Sequence, residues 1–311
     1  GGLLRLGSGA GQDIAVGNAT VILNTLAGGV LEQAGSTITA TNLAVLGIGV
    51  YTLNQNNNVV VLAANIDGTL AYTDTNALSI GTVGTTVGIT TANDDVKLTV
   101  LAGGLVINED VSLGGGDLTL NVIGAVTQNA GKDITAQGLQ LLGTGTVTLN
   151  NSGNNVAVLA ANYNGEIACT DANGLTIGTV ADDASGMTTG GITTSNDNVT
   201  LTTGGLLTLG SGAGQDITLG NATLVFNSAN GVTEAAGSIL VARNLLLTGM
   251  GNFTLTDNND IATLATDIAG NLNYVDANDL EISTVNAVDG ITTGVPTNGG
   301  NVIISAAGNL T

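Results

Sequence analysis

Short runs in which apolar and small polar residues alternate recur along the whole chain, as in Val147-Thr148-Leu149 and Val199-Thr200-Leu201-Thr202. A period of two buries one face and leaves the other in water, which predicts half-buried strands. Each run is bounded by Gly, Asn or Asp, as in Gly143-Thr144-Gly145, Asn150-Asn151-Ser152-Gly153-Asn154 and Thr256-Asp257-Asn258-Asn259. These residues accept the left-handed backbone that tight corners require. No segment joins helical apolar spacing to a capping box and a Gly stop, so helix is expected to be rare. The longest apolar stretches, such as Val59 to Ala64, stop after a few residues. A membrane-spanning helix needs about 18 or more, so no membrane insertion is expected.

The strands belong to a longer pattern. Leu6 to Ile14 reads LGSGAGQDI, and Leu209 to Ile217 reads the same. Asn58–Asn65 matches Asn155–Asn162 and, more loosely, Asp260–Asp267. Tyr72-Thr73-Asp74 matches Cys169-Thr170-Asp171 and Tyr274-Val275-Asp276, and Gly88-Ile89-Thr90-Thr91 returns at Gly191 and Gly290. The copies run from residue 1 to 102, 103 to 203 and 204 to 311. A long-range repeat in phase, dense turns and almost no Pro or aromatic residue favour a solenoid of coils of roughly 20 to 25 residues over a sheet sandwich. The expected fold is all-β: a right-handed parallel β-helix of three tandem repeats forming one continuous solenoid. Like side chains would stack above like, and corner Asn residues would form amide ladders.

Composition narrows what such a body could do. The chain has 311 residues, 48 of them Gly, and carries 4 basic against 24 acidic side chains for a net charge of -20. A nucleic-acid partner needs clustered cations, so none is expected. The acidic surplus reads as solubility and resistance to sideways association. The first residues, Gly1-Gly2-Leu3-Leu4, carry neither an initiator Met nor a signal-peptide pattern, so the segment is expected to begin inside a longer precursor.

Gly124–Gly138 (GAVTQNAGKDITAQG), followed by Leu141-Leu142-Gly143-Thr144-Gly145-Thr146-Val147, resembles the repeat regions of filamentous-haemagglutinin-type exoproteins, the large adhesins of two-partner secretion. The likeness covers essentially the whole chain and is one of texture. It implies a right-handed β-helix serving as a stalk or fibre outside the cell. The family's amino-terminal secretion domain is not evident in these residues. The matching segments are scaffold, so no functional residue carries over.

Candidate chemistry is sparse. The chain has no His, which removes the commonest general base, the Ser-His-Asp and Cys-His arrangements, and His-based metal sites. Its single cysteine, Cys169, stands where the other copies carry Tyr72 and Tyr274, which marks a structural position rather than a nucleophile. A polysaccharide lyase would need a cationic base, and Arg5, Lys97, Lys132 and Arg243 lie near no repeated acidic cluster. A hydrolase would need convergent carboxylates. The acidic residues, including Asp94-Asp95, Asp182-Asp183 and Asp197, are instead spread through the corners. The chain is therefore not expected to be an enzyme, and no catalytic, cofactor or metal residue is assigned.

Calcium is the one ion worth weighing. Asn93-Asp94-Asp95, Asn108-Glu109-Asp110, Asn196-Asp197-Asn198 and Asp257-Asn258-Asn259-Asp260 offer hard oxygen ligands. The same residues populate tight turns for conformational reasons, so solvated corners are the default. Gly7-Ser8-Gly9-Ala10-Gly11 lacks the Lys-Ser/Thr of a phosphate loop and reads as a corner. The leading expectation is a secreted or cell-surface structural and adhesive segment of a fibre, stacking end to end with itself or with flanking repeats. Its other expected partner is a host, cell or glycan surface. The alternative is a glycan- or ice-binding solenoid module. Thr37-Ile38-Thr39 and Thr144-Gly145-Thr146 supply threonines but do not recur at coil spacing.

Overall fold

A computed structural model describes residues 2–7, 11–182, 186–210, 214–294 and 299–311. The tips of both LGSGAGQDI segments, Asp183 and most of Gly7–Gly11 lie outside these residues. Among the described residues there is no helix, and parallel strands stack as a β-solenoid of about 13 turns. The chain forms two compact units, Gly1–Val156 with Ala181–Thr188, and Ala157–Val180 with Thr189–Thr311. The division falls inside the second sequence copy.

Register explains the alternation read from the sequence. In the first unit one column of coils aligns Val30, Tyr51, Leu70, Val96, Leu118 and Leu139, each on its neighbour and all buried. A second column aligns Leu78, Leu105, Val126 and Val147. In the second unit Leu175, Leu207, Val232, Phe253 and Leu272 form one such column, and Val199, Leu224, Leu245 and Leu264 another. Full burial of one such side chain is worth about 1.5–3 kcal/mol. A slip of one residue would turn every one of them outward, so the apolar alternation itself locks the register.

The corners depend on a close approach that only glycine permits. Gly47, Gly143 and Gly249 occupy matching Gly-x-Gly corners and have φ of 104°, 116° and 112°. A Cβ on Gly143 would sit 2.0 Å from the Val122 carbonyl oxygen of the preceding coil. On Gly47 the gap to Thr25 O would be 1.8 Å, and on Gly249 to Ser228 O 2.1 Å.

Not every strand is parallel. Thr82–Val83 pairs antiparallel with Thr86–Val87, and Thr284–Val285 with Val288–Asp289. Asn286 and Ala287, both at positive φ, make the second of these two-residue turns. The hairpins cover the outer face: Val83 packs on Ala44 and Ala63 in the first unit, and Val285 on Leu246 and Ala265 in the second. At the same place in the middle copy the chain is longer and forms the strands Thr179–Asp182 and Met187–Gly190.

The corner geometry predicts a contrast between two glycines. Gly143→Ala should cost more than about 3 kcal/mol, because backbone must move as well as strain be absorbed. Gly131→Ala, at φ 71° with no atom within 4 Å of the new Cβ, should cost only about 1–2 kcal/mol. Urea denaturation midpoints of the two variants check this.

Candidate functional site

The Asn and Asp clusters at the corners bond from coil to coil. Asn93, at φ 71°, accepts the Gly115 amide through Oδ1 at 2.9 Å, and Asp95 Oδ1 accepts the Asp117 amide at 2.7 Å. One copy later Asn196, at φ 69°, accepts the Asn221 amide at 3.0 Å, and Asn198 accepts the Thr223 amide at 2.9 Å. Asp110 accepts the Asp133 amide at 2.9 Å. In each case a side-chain oxygen replaces the backbone carbonyl that the next coil would otherwise bond where the strand ends. The expected amide ladders form: Asn129 donates to Asn108 at 2.6 Å, and Asn271 to Asn252 at 3.0 Å. The Lys132 ammonium donates to Glu109 across coils, a half-buried pair that holds the Glu109 carboxyl below its usual value. No group of three or more His, Cys, Asp or Glu placed to hold a metal occurs among the described residues.

Other polar groups are buried rather than solvated, a departure from the open corners expected of the sequence. Asn57, Asp74, Asn259 and Asp276 are at most 1% exposed. The Tyr72 hydroxyl donates to Asp74 Oδ2 at 2.7 Å, and the Val59 amide to the same atom at 2.8 Å. Tyr274, Ile261 and Asp276 repeat this arrangement at 2.8 and 3.0 Å. Burial raises the Asp74 carboxyl above its ordinary value, against the pull of its amide and phenol donors. The tyrosines are thus internal struts for a buried carboxylate. Cys169 takes their place beside Asp171, where burial, and secondarily the Asp171 charge, push its thiol up to about 12. A thiol so placed is neither charged nor accessible, as expected of a structural position.

One cleft stands apart from this internal bonding. In the first unit the outward row Thr52, Ala71, Lys97 and Thr119 lines up strand by strand, with Thr73 and Thr99 beside it. Residues Ala181 and Asp182, from the long excursion of the middle copy, form the opposite wall. The cavity between them is about 420 Å³, with Asp95 and Asp117 at one end. The Lys97 ammonium donates to Asp182 Oδ2 at 2.5 Å, and the Asp182 side chain is only 2% exposed. No local pattern pointed to this pair, because 85 residues separate its members and the long excursion that joins them belongs to the middle copy. Asp182, expected among the acidic residues spread through the corners, is a buried counter-ion to Lys97. The cleft is lined by the threonines Thr52, Thr73, Thr99 and Thr119, the carboxyl groups of Asp95, Asp117 and Asp182, and the Lys97 ammonium paired with Asp182.

No protein-family model, curated protein or solved structure matches this chain.

Removing one member of a buried pair strands the other charge. Lys97→Met should destabilise the protein by about 3 kcal/mol, and Lys97→Met combined with Asp182→Asn by clearly less than the two single changes together. A double-mutant cycle in urea checks the coupling.

Proposed function

We propose that this chain is a structural and adhesive segment of an extracellular fibre, displayed at the cell surface and joined through its coils to further coils of the same kind. The observation that carries this reading is the coil-to-coil bonding of the corners. Asn93, Asp95, Asp110, Asn196 and Asn198 each spend their side-chain oxygens on the next coil. Acidic and amide side chains are thereby committed to building length, and coils can be added without new design. The resemblance to filamentous-haemagglutinin-type repeats supports the same reading, and so does an acidic surface that discourages sideways association. The partners proposed are further coils and a host, cell or glycan surface.

Electron microscopy of the source cells with an antibody against this segment tests the proposal. Label along continuous threads outside intact cells is the expected result. Label confined to the interior, or to isolated soluble particles, overturns it.

The cleft beside Lys97 favours a second reading, a glycan-binding module. Thr73 and Thr99 stand side by side on neighbouring strands, at the strand spacing of about 4.8 Å, which suits the hydroxyls of an extended oligosaccharide. Under this reading a glycan array shows binding to uncharged oligosaccharides that Thr73→Val combined with Thr99→Val reduces at least tenfold. Unchanged binding by that variant removes the cleft from consideration.

A further inference from the structure

Glu32, Gln128 and Glu234 occupy one position in three corners. The surrounding sequences run Val30-Leu31-Glu32-Gln33-Ala34-Gly35, Val126-Thr127-Gln128-Asn129-Ala130-Gly131 and Val232-Thr233-Glu234-Ala235-Ala236-Gly237. All three side chains extend from rows that are otherwise apolar. Leu6 flanks Glu32, Ile107 flanks Gln128, and Leu209 flanks Glu234. The turn that follows is the same in each, with Ser36, Lys132 and Ser238 donating their amides to the carbonyls of Gln33, Asn129 and Ala235.

One terminal atom of each side chain does the same work. Glu32 Oε2 accepts from the Gln55 amide at 3.0 Å and from Asn57 Nδ2 at 3.1 Å. Glu234 Oε2 accepts from the Asp257 amide at 2.7 Å and from Asn259 Nδ2 at 3.3 Å. Gln128 Oε1 accepts from the Asn151 amide at 3.4 Å and from Asn154 Nδ2 at 3.2 Å. The asparagines match as well, each accepting an inward-turned amide, from Ile38, Leu240 and Ile134.

The other terminal atom differs. Gln128 Nε2 donates to Lys132 O at 2.5 Å and to Asn154 Oδ1 at 2.6 Å. The atoms in its place, Glu32 Oε1 and Glu234 Oε1, are buried and have no hydrogen-bond partner. The counterparts of the two acceptors that Gln128 satisfies are Ser36 O and Asn57 Oδ1 in one corner, and Ser238 O and Asn259 Oδ1 in the other. Position by position, the corner calls for a donor where an ionised glutamate can offer only lone pairs. A carboxylate there would leave a charge buried against acceptors.

We infer that Glu32 and Glu234 are neutral carboxylic acids in the folded protein, each donating its proton to the acceptors that Gln128 reaches with its amide, so that two of the three corners form a pH-sensitive latch. Hydrogen bonds from Gln55 and Asn57 pull Glu32 down, and those from Asp257, Asn259 and Thr256 pull Glu234 down, but burial outweighs them and the charged and titratable neighbours add to it. Asp13 lies towards Glu32 and Asp257 towards Glu234, and the phenols of Tyr72 and Tyr274 face the same corners. No Lys or Arg acts on either carboxyl. Burial, the largest influence, raises both, and Glu234 reaches about 7 from an ordinary 4.5.

A carboxyl whose folded value lies above its unfolded one favours folding most below the unfolded value. For Glu234 that contribution is complete below 4.5 and is lost as pH rises through about 7. The corners are therefore tight in mildly acidic surroundings and loosened in mildly alkaline ones. For Glu234 alone the difference amounts to a change on the order of a hundredfold in the folding equilibrium constant.

The test compares four proteins by urea unfolding at about pH 5 and about pH 8. Acidification also relieves the general repulsion of an acidic chain, so the control is Glu281→Gln, which removes one charge at an exposed site. The combined variant Glu32→Gln with Glu234→Gln should be more stable than wild type at the higher pH, by tenfold or more in the folding constant. It should lose most of the wild type's pH dependence, whereas Glu281→Gln should keep it. Gln128→Glu should acquire an added loss at the higher pH. Infrared difference spectra of the folded wild type should show a protonated carboxyl carbonyl band that the double Gln variant lacks, a readout independent of stability. The inference is overturned if the double variant tracks Glu281→Gln, or if the carboxyl band is absent. It is also overturned if added calcium or sodium stabilises the wild type but not the double variant, which would assign the unpartnered oxygens to a cation instead.

Discussion

A stack of coils inherits every unsatisfied group of the coil beneath it, and this governs almost every residue choice in the chain. Strands meet the demand with their own amides and carbonyls. At corners the strand ladder is interrupted, and backbone donors there would be left bare in a half-buried setting. Asn, Asp, Ser and Thr supply the missing oxygens: Asp95 for the Asp117 amide, Asn57 for the Ile38 amide, Asp276 for the Ile261 amide. The acidic character of the chain is thus in good part a by-product of backbone accounting. Where the outer corners are wet, an ionised side chain costs little. Where the corner turns inward, as at Asp74, the charge is tolerated only with donors on both oxygens.

The same constraint sets where side chains can be lost. Gly47, Gly143 and Gly249 bring the backbone of one coil against a carbonyl of the last, so the corner closes without a Cβ. Bulky rings are few, and Tyr51, Phe226 and Phe253 are fully buried. Tyr72 and Tyr274 are exceptions with a purpose, since their hydroxyls reach the carboxylates beside them. Cys169 shows that the ring can be dispensed with at one corner while the neighbouring Asp171 is kept, its Oδ1 accepting the Asn173 amide at 2.8 Å.

Much of the fold was legible in the sequence because the signals were local. Alternation such as Val199-Thr200-Leu201-Thr202 fixes which face is buried, and Gly, Asn and Asp mark where strands stop. The recurrence of Tyr72-Thr73-Asp74 and its relatives was visible too, although its role as a buried strut was not, because nothing local tells an inward corner from an outward one. The Lys97–Asp182 pair was out of reach, since it depends on where an unrepeated excursion lands. The antiparallel hairpins were missed for a related reason. Thr82–Val87 and Thr284–Asp289 are too short to show a period, and their packing on Ala44 and Leu246 is a tertiary fact. The substitution of Gln128 for Glu32 and Glu234 could have been found by aligning the copies on Ala-Gly. Its segment was read only as the texture of a family.

The hairpin site has a consequence for how such a chain can change. Within a strand the residue count is rigid, because a single insertion there would turn the residues that follow it to the opposite face. Val83 and Val285 sit on short hairpins outside the main ladder, and there the middle copy carries additional residues while the strand that follows, Ile192–Thr194, stays in register with its neighbours. That point is a port in the architecture: sequence can be lengthened, diversified or exchanged there without disturbing the stack. Novelty would then accumulate at one recurring place on each copy, and the cleft beside Lys97 is what one such lengthening has built.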